Sequence, residues 1–188
     1  MNLRRIFIAI NLPEDTKHTL LSYQEKWQEM PARWTTPENL HVTLAFLGST
    51  SDKELEEVYR IAKETAARSK QFSLTFEKII YGPQQETPRM IWAVGDKTPE
   101  LLALQNNLEK TLSNSPILHY QPEKREFNLH ITLARLREWE FQRIEPEERS
   151  EVNENISVSF PVRSIEAMES KLKRSGAEYA ILQSFPLL

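Results

Sequence analysis

NLHVTLAFLG at residues 39–48 and NLHITLARL at residues 128–136 decide how this chain is read. Their cores, His41-Val42-Thr43-Leu44-Ala45 and His130-Ile131-Thr132-Leu133-Ala134, differ only by a Val/Ile exchange, and each follows an Asn-Leu pair. The offset between them, 89 residues, is close to half of the 188-residue chain, and a repeat at that spacing predicts two similar lobes. Both copies are rich in β-formers, so each is expected inside a strand. Strand side chains alternate between faces, which puts His41 with Thr43 and His130 with Thr132 on one face, and Val42/Leu44 and Ile131/Leu133 on the other. The apolar pairs belong to a core and the His/Thr pairs to a groove. If the lobes are related by a pseudo-twofold, two imidazoles and two hydroxyls meet in one cleft.

The flanking sequence fills in the lobes. Ile6 to Ile10 is apolar but ends at Asn11 and Pro13. It is too short for a secretory signal, whose apolar region needs about 7–15 residues, and reads as the first buried strand of a cytoplasmic protein. Leu20, Tyr23, Trp27 and Met30 recur at helical spacing, predicting a helix from Glu14 to Met30 that Pro31 ends. Ser51 with Glu54 is a capping-box signal for a second helix lined by Leu55, Val58, Ala62 and Ala66. Phe72 to Tyr81 and Arg89 to Gly95 read as strands broken by Gly82-Pro83. Thr98-Pro99 opens a third helix with Leu101, Leu104, Leu108 and Leu112 on one face. Residues 113–126 read as loop, 127–136 as strand, and the glutamate-rich stretch 138–154 as a connection holding one short helix rather than a packed element. Alternation over 156–168 and 178–185 around Gly176 predicts a closing hairpin. This order gives an α+β fold with mostly antiparallel pairing.

Composition removes several classes of function. Net charge is −3, so a surface that coats nucleic acid uniformly is excluded, and any such binding must use a local pocket. The absence of cysteine eliminates disulfides, a thiolate nucleophile and Cys-based zinc sites. Four glycines cannot build a glycine-rich phosphate loop. His18 and His119 have no motif context and read as solvated. Neither His41 nor His130 has a His or carboxylate partner at metal-ligand spacing, so no metal and no cofactor is expected.

Two histidines and two threonines around one point suit in-line displacement at phosphorus. A neutral imidazole takes a proton from the attacking oxygen, and a protonated one gives a proton to the leaving oxygen. The Thr hydroxyls, with an arginine, stabilise charge growing on the non-bridging oxygens. A single His-x-Thr in a strand is more often ordinary packing, but two near-identical copies at half-chain spacing shift the reading to catalysis.

These paired motifs make the chain resemble the two-histidine (2H) phosphoesterase superfamily, and within it the LigT-like RNA 2′,3′-cyclic phosphodiesterases. Supporting stretches are RIFIAI at 5–10, RMIW at 89–92, HITLAR at 130–135, and the closing segment with Ser170, Leu172, Gly176 and Tyr179. The resemblance covers nearly the whole chain. It implies a single bilobal domain over 1–188, with two mostly antiparallel sheets facing a central cleft and helices outside. It implies metal-independent opening of a 2′,3′-cyclic phosphate at an RNA end to a 2′-phosphate, with reversible 2′-5′ RNA ligation in some relatives. By that analogy His41 is the general acid of hydrolysis, His130 the general base, and Thr43 and Thr132 hold the phosphate. Leu129 stands where the family usually has proline, a change at the strand entry that removes no catalytic group.

Other candidates follow from position. Arg89 either binds phosphate at the cleft or merely flanks a strand. Phe46 is placed on the face of Thr43, where it stacks on a base or packs in the core. Arg135 follows the second motif as in many relatives, but its odd offset from His130 points it away from Thr132's face. Lys171, Lys173 and Arg174 form a basic cluster, read first as a solvated turn and second as an RNA guide. The expected partners are RNA ends or small cyclic nucleotides bearing a 2′,3′-cyclic phosphate, with no membrane association and a monomeric state. The alternatives are a non-catalytic RNA- or nucleotide-binding module on the same fold, and a superfamily enzyme for another phosphoester.

Overall fold

The computed structural model describes residues 3–84, 87–174 and 176–188. Its strands are β1 (Arg4–Asn11), β2 (Ala32–Trp34), β3 (His41–Thr50), β4 (Phe72–Gly82), β5 (Met90–Val94), β6 (His130–Leu136), β7 (Asn153–Val162), β8 (Ser164–Lys173) and β9 (Gly176–Pro186). The helices are α1 (Glu14–Ser22), α2 (Asp52–Ala67), α3 (Pro99–Ser113) and α4 (Glu138–Gln142). One sheet has the order β3-β1-β8-β9 and the other β2-β6-β5-β4-β7, with antiparallel neighbours throughout. The order β3-β1-β8-β9 corresponds strand for strand to β6-β5-β4-β7 with the two motif strands in the same place, the correspondence a pseudo-twofold requires, and β2 is an addition to the second sheet.

The local signals set the helices. The Ser51 hydroxyl accepts from Glu54 N–H while the Glu54 carboxylate accepts from Ser51 N–H, a complete capping box. Thr98 caps α3 ahead of Pro99. The helices are exchanged between lobes: α3, which follows β5 of the second sheet, packs on α2 and reaches β3, whereas α1, which follows β1 of the first sheet, lies against β7. One continuous core results, running from Ile6, Ile8 and Ile10 to Leu74, Phe76 and Ile79.

Three expectations are corrected. The first helix is α-helical only to Ser22 and then tightens to a 3-10 turn over Tyr23–Trp27. Thr19 and Ser22 hydroxyls bond back to carbonyls of the preceding turn, and the Trp27 indole donates to the Glu151 carbonyl at 3.0 Å, which fixes where that turn must aim. The stretch 138–154 packs rather than merely connects, because Phe141 and Val152 are buried in the core. Residues 156–168 are not one strand: β7 pairs with β4 in the second sheet, and β8 with β1 and β9 in the first. The residues contributed to the main core run Ile156, Val158, Phe160, Val162 and then Ile165, Ala167, a change of phase at Arg163 where the chain passes between sheets.

Among the described residues no helix is long and apolar enough to cross a membrane.

Candidate active site in the cleft between the sheets

The motif strands line opposite walls of one cleft of about 1760 Å³. In β3, Ala9 of β1 pairs with Thr43 and Ile8 with Ala45, so Leu44 is an extra, bulged residue. In β6, Trp92 of β5 pairs with Thr132 and Ile91 with Ala134, so Leu133 is bulged in the same way. The repeat therefore duplicates a β-bulge as well as a sequence. A bulge resets alternation, and the next side chain after the buried pair returns to the face of the His and Thr. Phe46 thus reaches the cleft and is 54% exposed, on the predicted face although strict alternation from Thr43 would not put it there.

Arg135 is the counterpart of Phe46. It was expected to point away from Thr132, and the bulge at Leu133 turns it into the cleft instead, with its guanidinium beside the Met90 sulfur at 3.7 Å. Arg89 is not among the residues lining the cleft. Its backbone ties strand ends together, N–H to Gly82 O and C=O from Leu136 N–H, both at 2.9 Å. In the basic cluster, Lys171 and Lys173 pair with Glu169 and Glu178. His18 and His119 are exposed, as expected.

Each catalytic candidate is held alike. His41 Nδ1 lies 2.7 Å from Asn39 O, and His130 Nδ1 lies 2.9 Å from Asn128 O. A carbonyl only accepts, so Nδ1 carries hydrogen in both rings, and each Nε2 is the working nitrogen. In the neutral His41 ring Nε2 accepts from the Thr43 hydroxyl at 2.9 Å. Asn39 is itself clamped: its Nδ2 donates to Ala177 O and its Oδ1 accepts from Tyr179 N–H, fastening the entry of β3 to β9. The Asn-Leu pair before each motif was visible in the sequence, but its use as a ring anchor required the fold.

The aromatic surroundings differ between lobes. His41 packs on Phe7 at 5.0 Å and meets Tyr179 edge-on at 5.1 Å. His130 stacks on the Trp92 indole, with centroids 4.2 Å apart and planes 27° from parallel. Sequence reading missed Phe7, Trp92 and Tyr179 as site residues, because aromatics in strands signal core packing by default.

Burial pushes the His41 imidazole down to about 4, and the neighbouring charges of His130 and Arg135 add to the fall while the Asn39 carbonyl opposes it. His130 is lowered by burial too, with the Asn128 carbonyl and Glu123 resisting. Both rings are thus neutral in the free protein at pH 7.

Gly82 sets the Trp92 platform. A Cβ there would stand 2.2 Å from the indole Cδ2, so only glycine lets the ring lie against β4 under His130. Gly82→Ala is expected to cost about 1–3 kcal/mol from overpacking. It should also lower turnover by up to about 100-fold through the displaced imidazole. Denaturant unfolding and steady-state kinetics on the variant check this, and unchanged turnover would show that the platform is dispensable.

Comparison with known proteins places this geometry. The family model described as LigT like Phosphoesterase matches residues 10–92 and 94–179. The RNA 2′,3′-cyclic phosphodiesterase of Thermus thermophilus is 28% identical over 97% of this chain and 90% of its own. That of Aeropyrum pernix is 29% identical over 81% and 85%. Among solved structures, Thermus thermophilus TT0787 aligns with a TM-score of 0.83 at 26% identity, covering 97% of both chains. Escherichia coli LigT, solved with 3′-AMP, aligns with a TM-score of 0.80 at 24% identity over 99% of both, which supports the fold.

Proposed function

Because the chain belongs to the LigT-like phosphoesterase family, we propose that it hydrolyses RNA 2′,3′-cyclic phosphates to 2′-phosphates. The observation that carries this reading is the pair of Nδ1-anchored imidazoles whose Nε2 atoms serve one cleft. His130 Nε2 takes a proton from water, the water oxygen bonds to phosphorus, and the P–O3′ bond breaks. His41 Nε2–H gives its proton to O3′, leaving a 3′-hydroxyl and a 2′-phosphate. Thr43 and Thr132 hold the non-bridging oxygens, Arg135 supplies positive charge beside them, and Phe46 offers its exposed ring to the base. Arg89 takes no part. With the 5′-hydroxyl of a second RNA in place of water, the same proton transfers form a P–O5′ bond as P–O3′ breaks, giving a 2′-5′ phosphodiester and a 3′-hydroxyl, the chemistry of 2′-5′ ligation. The protein acts in this reading as a cytoplasmic monomer, with 1–188 one bilobal unit whose exchanged helices couple the lobes.

The test is hydrolysis of a short RNA ending in a 2′,3′-cyclic phosphate, in EDTA, with the phosphate position of the product determined. A 2′-phosphate formed over many turnovers is the expected result. Saturable binding without product would instead identify a non-catalytic RNA-binding module, and a 3′-phosphate would reverse the direction of ring opening.

A further inference from the structure

The second sheet carries a strand that the first lacks. β2 pairs with β6 so that Arg33 stands directly opposite Arg135, and both line the cleft. Directly opposed residues share a face with Cβ atoms about 5 Å apart, and like charges so placed repel. No carboxylate relieves them among the described residues. Among the described residues Arg33 has no ion pair or hydrogen bond, and Arg135 has the Met90 sulfur. Of the acids nearby, Glu178 is paired with Lys173, and Glu38 pairs with neither arginine. Arg33 also spans the cleft mouth: its Nη1 lies 3.0 Å from where a Cβ would stand on Gly176, at the start of β9 in the facing sheet.

Position along the cleft tells what such a pair is for. Thr132 and Arg135 pair with Trp92 and Met90, two residues apart on β5. That is a step of about 7 Å, on the order of the contour spacing of neighbouring phosphates in an extended strand of RNA. Elsewhere in the cleft the lining is mixed in charge, with Glu109, Glu123 and Arg125 and with Glu126 paired to Lys97, whereas Arg33 and Arg135 put two cations side by side. The cleft, about 1760 Å³, is larger than the ~300–1,000 Å³ that encloses one small ligand.

We propose that Arg33, standing beside the Arg135 that serves the reacting phosphate, forms a second anion subsite that takes the phosphodiester immediately 5′ of the nucleotide bearing the cyclic phosphate. The protein then recognises a polynucleotide end rather than a mononucleotide. This rests on the histidine pair being the cyclic phosphodiesterase centre. Guanidiniums suit the task because they donate two parallel hydrogen bonds to a phosphate, and an edge strand costs little to dedicate to it.

The experiment compares kcat/KM for adenosine 2′,3′-cyclic phosphate, its 5′-phosphorylated form and the dinucleotide ApA 2′,3′-cyclic phosphate, in wild type and Arg33→Gln. Wild type is expected to favour the two substrates with the additional phosphate by at least about tenfold. Arg33→Gln should leave the mononucleoside substrate within about twofold and abolish the preference. A dinucleotide with a neutral methylphosphonate linkage should fall to the mononucleoside level in wild type. Equal rates on all substrates in wild type, or a preference that survives Arg33→Gln, would overturn the subsite. Equilibrium binding of adenosine 2′-phosphate and adenosine 2′,5′-bisphosphate reads the subsite without turnover. An Arg33-dependent preference in binding without any hydrolysis would support the subsite and refute the histidine assignment. Hydrolysis lacking that preference would refute the subsite alone.

Discussion

His41→Ala and His130→Ala are each expected to lower kcat by at least about 100-fold while leaving a folded protein, the loss that follows removal of a positioned acid or base. Both side chains are presented from strands whose register is set elsewhere, by the Ile8–Ala45 and Ile91–Ala134 pairs beyond each bulge. Neither ring belongs to the main core, so alanine removes an imidazole and its Asn39 or Asn128 hydrogen bond without opening a cavity there. The double variant should lose little more than either single one, since acid and base serve one concerted displacement. Thr43→Ala and Thr132→Ala should cost less, and chiefly in kcat, because the hydroxyls act on charge that grows in the transition state. Single-turnover rates with circular dichroism as the folding control measure all of these. Wild-type turnover in either histidine variant would sink the two-histidine mechanism.

The second large effect is on pH. The reaction needs one imidazole protonated and one neutral, yet burial lowers both, His41 to about 4. Above the higher of the two values the singly protonated form falls tenfold per pH unit, so kcat/KM should decline with that slope from about pH 6.5 upward. It should turn over again on the acid side, where both rings are charged and no neutral imidazole remains to act as the base. Bound phosphate places negative charge beside the rings and favours their protonated forms, so the profile of kcat should lie at higher pH than that of kcat/KM. Rates from pH 4 to 9 test this, and a kcat/KM that is flat or rising between pH 6.5 and 8.5 would contradict it.

The same depression affects stability. With His41 near 4 in the folded state and about 6.5 in the unfolded chain, the unfolded state binds more protons between these values. The stability this preserves is whole above about pH 6.5 and is lost as pH falls toward 4, by at most about 3 kcal/mol. Glu166, buried on β8 and raised by that burial, works in the opposite sense from its ordinary carboxylate range upward. His41→Ala should flatten the first of these slopes in denaturant unfolding.

Much of the site was legible because its signals are local. The repeat placed His41, Thr43, His130 and Thr132 on groove-facing positions, since alternation depends only on the backbone of the strand that carries them. Capping at Ser51 and Thr98 was readable for the same reason, each cap being satisfied within three residues. The family resemblance, rather than periodicity, supplied the arrangement of two sheets around a cleft and the cyclic phosphate as substrate.

The sequence by itself determined which side chains are the candidates for the chemistry and that they come in two equivalent sets. Only the tertiary structure decided that Arg135 turns inward, that Arg33 stands opposite it, that β7 and β8 separate at Arg163, and that Gly82 holds Trp92 under His130. A bulge, a strand partner and a loss of solvent are each created by residues far away in the chain. They are properties of what the backbone meets, which no spacing along one strand can encode.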